Sequence, residues 1–69
     1  SYEAEMAKKA LAKEKYDAAM LKAEEDRKNA TDEFDRVKAA ELKKMIKKAK
    51  SDPDEIDRIL EDSLGIKKV

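Results

Sequence analysis

The sequence predicts an all-α chain, and three observations carry that prediction. Of its 69 residues 49% are charged, with one Gly, one Pro and no Trp, and Ala, Glu, Lys and other strong helix formers dominate the rest. Apolar residues recur at helical rather than alternating spacing from Tyr2 to Met45. A capping signal, Asp52-Pro53-Asp54-Glu55, then announces a further helix. The expected architecture is a long N-terminal helix over residues 2–50, a tight turn at Ser51-Asp52-Pro53, and a short helix over 53–64 packed back on it. Residues 65–69 are expected to fray, and the chain reads as a single module over 1–69.

In the first part of the long helix the apolar stripe is thin. Tyr2, Met6, Tyr16 and Met20 fall in one narrow sector, interrupted by Lys9, Lys13 and Arg27, with Leu11, Ala18 and Leu21 widening it. Acid-first pairs such as Glu5 with Lys9 and Glu24 with Lys28 each add ~0.2–0.5 kcal/mol to an isolated helix. At residues 28–33 two readings compete. Asn29 suits a left-handed helix end and Thr31 an N-cap, which would give a three-helix bundle with a break near Asn29 to Thr31. The other reading keeps the helix continuous, because Phe34, Leu42, Met45 and Ala49 stay in phase with Tyr2, Tyr16 and Met20 and no Gly or Pro intervenes. The continuous helix, ~48 residues or ~72 Å long, is the preferred reading.

From Phe34 onward the helix is more apolar. Phe34, Val37, Leu42, Met45 and Ile46 form a broad face, while Lys43, Lys44, Lys47, Lys48 and Lys50 crowd the C-terminal end, where cations favour the helix dipole. In the next helix Asp52 is the expected N-cap, Pro53 the first helical residue and Glu55 the partner completing a capping box. Ile56, Ile59, Leu60 and Leu64 line one face, and Gly65 with Ile66 suits a Schellman stop. A short linker favours an antiparallel neighbour. Residues 34–66 are therefore expected to form the folding nucleus, with 2–33 projecting from it.

Composition also limits chemistry. With no Cys and no His, disulfides and Cys/His zinc sites have no ligands, and the usual group titrating near neutral pH is missing. Ser1, Thr31, Ser51 and Ser63 have no base in sequence context. The chain is expected not to be an enzyme and to need no cofactor, metal or small-molecule substrate. Seventeen basic and seventeen acidic residues cancel, so no global field steers it toward nucleic acid, which is not favoured as a partner. No apolar run approaches the ~20 residues of a membrane span, and a soluble chain of undetermined compartment is expected. Asn29-Ala30-Thr31 matches a glycosylation acceptor pattern, but its expected place inside a helix argues against use.

Three resemblances bear on function. The run Tyr2-Glu3, Lys9-Ala10-Leu11-Ala12-Lys13 and Glu33-Phe34-Asp35-Arg36-Val37-Lys38 is similar in style to the long coiled-coil helices of sorting-nexin and other BAR domains. That resemblance implies, as an alternative, a membrane-surface element acting through residues 43–50. Asp54-Glu55-Ile56 with Ile59 and Ser63 resembles a ubiquitin-interacting helix, with Ile59 where that family has a small Ala. The Ser51-Asp52-Pro53-Asp54 connection, the Gly65 stop and the missing His, Cys and Trp are similar to computationally designed helical scaffolds without a natural function.

The function expected is non-catalytic association with another protein chain or with itself, as a coiled coil or as a small structural subunit of a larger complex. Tyr2, Met6, Tyr16, Met20, Phe34 and Met45 are the expected contact residues, because large side chains of these types anchor interfaces.

Overall fold

The structure, a computed structural model, describes residues 1–64, which form three α-helices: α1 Tyr2–Asn29, α2 Glu33–Lys48 and α3 Pro53–Leu64. Ser1 caps α1, its Oγ accepting the Ala4 N–H at 3.2 Å. Glu3 and Glu5 sit in the first turn and Arg27 and Lys28 in the last, so both ends complement the helix dipole.

The helix preferred over residues 2–50 is interrupted, and the chain takes the three-helix alternative. Ala30 is extended at φ −64° and ψ 129°, and Asp32 caps α2 by accepting the Asp35 N–H at 2.8 Å. The cap is therefore Asp32 rather than Thr31, and Asn29 stays helical. The break has a physical reason. A straight helix would leave Leu42 and Ile46, both buried here, in water, at roughly 1.5–3 kcal/mol each. The helical hydrogen bonds given up at the turn are worth only about 1 kcal/mol each.

α2 runs antiparallel to α1, bringing Lys43 to Glu24 and Lys50 to Tyr16. At its end the Ala49 N–H is shared between the Met45 and Ile46 carbonyls. The Asp52 N–H then bonds the Ala49 carbonyl at 2.9 Å, and Asp52 accepts the Glu55 N–H at 3.2 Å. Pro53 opens α3 as expected and is buried. The reciprocal half of the capping box is not formed: the Glu55 carboxylate pairs with Arg58 at 2.7 Å instead.

α3 packs back as expected, but it lies along α1 as well as α2, where Lys15 and Asp57 form an ion pair. The core is Ala19, Ala23, Leu42, Ile46, Ala49, Ile56 and Ile59, with Tyr16, Met20 and Leu60 packed against it. The alanines let the three helices approach closely. α1 joins this core from Tyr16 onward and is buried one turn earlier at Ala12, so the expected projection of residues 2–33 shrinks to residues 1–11, all of which are exposed. The side chain of Leu64, the Gly65 and Ile66 stop and the tail expected over 65–69 lie outside the described residues.

Candidate interaction surface

α1 is 28 residues long and α2 only 16. At about 1.5 Å per residue the first helix outruns the second, and residues 1–11 extend about 16 Å past the α2–α3 turn. Helical spacing of 3 and 4 residues links the positions of α1 that face the bundle: Ala12, Tyr16, Ala19 and Ala23. Carried backward, the same seam reads Lys9, Glu5 and Tyr2. Inside the bundle it is small or aromatic. Beyond Ala12 it holds a cation and an anion one turn apart, followed by an aromatic ring.

Where the projecting helix leaves the bundle there is an open notch of about 610 Å³. Ala12 and Tyr16 line it, with Lys8, Lys9 and Lys13 from α1 and Lys50 and Ser51 from the turn. The Lys50 ammonium stands 5.5 Å from the centre of the Tyr16 ring, within the range of a cation–π attraction. Lys13 pairs with Asp17 at 3.3 Å on the helix surface. Among the described residues neither Glu5 nor Lys9 takes part in an ion pair.

The six expected contact residues divide into three groups. Tyr2 and Met6 lie on the projecting part of α1, exposed to 76% and 49%. Tyr16 and Met20 pack against the intramolecular core instead of standing free, because the seam that carries Ala19 and Ala23 inward carries them too. Phe34 is 69% exposed at the start of α2, with the Lys38 ammonium 5.4 Å from its ring centre. Met45 lies half out of a shallow groove between α2 and α3 whose floor includes Leu42 and Ile59. Sequence reasoning passed over Ala12, Ala19 and Ala39, all buried, because a count of bulky residues gives alanine no weight.

No family model, curated protein or solved structure matches this chain. The remaining surface features are therefore read from their own chemistry. α3 turns Asp54, Asp57, Arg58 and Glu61 outward around a shallow polar depression. Its Ile56 and Ile59 are in the core, so the face that would serve as a ubiquitin-interacting helix is already covered by the chain itself. Lys43 hydrogen-bonds Glu24 at 2.9 Å, and that bond and the charge behind it hold the Glu24 carboxyl below its usual pKa, with Arg27 and Lys28 adding to the effect. The basic run of residues 43–50 is thereby divided, with Lys43 turned to α1 and Lys50 to Tyr16. Asn29-Ala30-Thr31 spans the α1–α2 turn rather than a helix interior, with Asn29 and Thr31 exposed. No helix among the described residues is long and apolar enough to cross a membrane.

Proposed function

We propose that the chain is a non-catalytic helical module for protein–protein association, acting either by coiled-coil self-association or as a small subunit of a larger assembly. The observation that carries this reading is the projection of α1: a capped helix continues about 16 Å beyond its own bundle and holds Tyr2 and Met6 out in water. A helix of this length gains nothing within the monomer from those residues. Isolated helical segments shorter than ~12–15 residues are marginal in water, so the projection is continued from the bundle and is stabilised further by whatever packs on it.

The test is a photo-cross-linking residue placed at position 2 or 6, with Glu14 on the exposed surface of α1 as the control position, carried out in the cell the protein comes from. A discrete protein adduct from positions 2 and 6, absent from position 14, is expected. Adducts equally weak from all three positions would overturn the reading.

The membrane-surface alternative rests on Lys44, Lys47 and Lys48, which are exposed on α2. Co-sedimentation with anionic vesicles distinguishes it. Binding that weakens with salt as surface charges are screened favours the membrane, and no binding removes it. The loss of Lys43 and Lys50 to intramolecular contacts favours association with protein.

A further inference from the structure

We propose that the partner of the projecting helix is a second copy of this chain, paired antiparallel through residues 2–12 of α1 with the twofold axis level with Ala7. The proposal rests on the association reading above and specifies its partner and register.

The argument starts from the seam. Tyr2, Glu5, Lys9, Ala12 and Tyr16 are spaced by 3, 4, 3 and 4 residues, the a and d pattern of a coiled coil, with Tyr2, Lys9 and Tyr16 at a and Glu5 and Ala12 at d. From Tyr16 onward the seam is occupied by α2 and α3, and Ala12, itself buried, lines the notch where the seam emerges. Before Ala12 it is exposed, and its two charged members are unpaired among the described residues.

In an antiparallel pair each a residue faces a d residue of the other helix. With the axis at Ala7, Tyr2 of one copy faces Ala12 of the other, and Glu5 faces Lys9. The twofold axis repeats both contacts. A large ring meets the smallest core side chain at each end, and two opposite-charge pairs occupy the centre. The order of the four residues is self-complementary in this direction only. A parallel pair in register would set Glu5 on Glu5 and Lys9 on Lys9, which like charge disfavours. An interface in which the same patch serves both copies is the isologous arrangement of a twofold dimer.

The notch supplies the room. Its volume of about 610 Å³, with Ala12 and Tyr16 in its lining, admits the ring of Tyr2 from the second copy beside Tyr16. Lys13 and Lys50 stand at the rim. Met6, on one flank of the seam, meets Met6 across the axis. Lys8, on the other flank, faces its own copy with a stem long enough to carry the ammonium into solvent. The contact is short, so the dimer is of the weak, transient class and weakens as salt screens its central pairs.

The experiment is sedimentation equilibrium at low ionic strength up to ~1 mM chain, where dissociation constants of about 1 mM become visible. It uses the full chain and its Glu5→Lys, Lys9→Glu and double-swap variants. Both positions are exposed, and circular dichroism verifies that each variant keeps its helix content. The full chain should dimerise. Either single variant alone should lose roughly tenfold or more in association constant, because both central pairs become repulsive. An equimolar mixture of the two single variants should dimerise again, as should the double swap by itself. In a parallel pair like residues meet in every homodimer, so there the single variants would associate no more weakly than the full chain. Single variants that dimerise like the full chain, a mixture no tighter than its components, or a full chain monomeric throughout would each overturn the proposal. The first of these places self-association on another surface, and the last passes the association reading to the cross-linking experiment.

Discussion

Replacing Asp32 by Ala tests the reason the first helix ends where it does. Asp32 contributes the only side-chain cap at the α1–α2 turn among the described residues, accepting the Asp35 N–H at 2.8 Å. Its charge also lies at the positive end of α2. Loss of such a cap costs about 1 kcal/mol, within a range of roughly 0.5–2. Helix propensity acts the other way, since Ala favours a merged helix by several tenths of a kcal/mol over Asp. What decides the outcome is the burial of Leu42 and Ile46. Straightening the chain would expose both, at about 3–6 kcal/mol together, comparable with the ~3–5 kcal/mol that a core of this size supplies in all. The variant should therefore remain a three-helix bundle with a weaker start to α2. Its midpoint should fall by about 4–8 °C per kcal/mol lost, the scale for domains of this size. Urea melts and far-ultraviolet circular dichroism, read beside the hydrodynamic radius, provide the assay. If helicity and radius both rise, the cap rather than the core sets the break, and the reasoning fails.

Other perturbations probe the packing and the ion pairs. Ala19→Leu inserts a branched side chain where Ala19 is fully buried between helices and should destabilise by ~1–3 kcal/mol or more; a melt unchanged from the parent would mean α1 and α2 are not in close contact there. Phe34→Ala removes an exposed ring and its contact with Lys38, so denaturant melts should show a loss no larger than about 0.5–1 kcal/mol, and a larger loss would place Phe34 in the core. The Glu24 carboxyl has its pKa lowered in the folded chain by Lys43, so its contribution to stability is complete above the unfolded-state value and is lost as pH falls through the lower folded-state value. Lys43→Met should accordingly flatten the decline of the thermal midpoint on the acid side, and an unaltered pH profile would show that the pair contributes nothing.

The parts of this fold legible in the sequence are those written in local chemistry. Asp52 and Pro53 announce α3 because a cap and a fixed φ act within a few residues, whatever the rest of the chain does. The break after Asn29 was open to two readings because its cause is not local. Asp32 is a good cap but so is Thr31, and the turn exists because Leu42 and Ile46 find Ala19 and Ala23 some twenty residues away. Phase continuity from Tyr2 through Met45 pointed to an unbroken helix. It was misleading because it followed the large residues: Phe34 and Tyr2 are exposed while alanines occupy the contact. In closely packed helices a seam of small residues is as much a core as a stripe of leucines, and composition counts cannot see it.

The same seam bears on where the bundle stops and on the association proposed for the projecting helix. From Ala23 back to Ala12, the seam positions Ala23, Ala19, Tyr16 and Ala12 are small or aromatic, with Met20 packed beside them. At Lys9 and Glu5 it turns ionic, and burying either group alone would cost far more than the contact returns. α2 turns into α3 at this level, where Asp52 and Pro53 begin the next helix. The two charges that end the intramolecular core have opposite sign and lie one turn apart, so they exclude the chain's own α2 and α3 yet complement a copy of the same helix running the other way. A pair of like charges at these positions would have ended the bundle equally well and repelled a second copy. Their opposite sign is what the proposed pairing of two copies rests on.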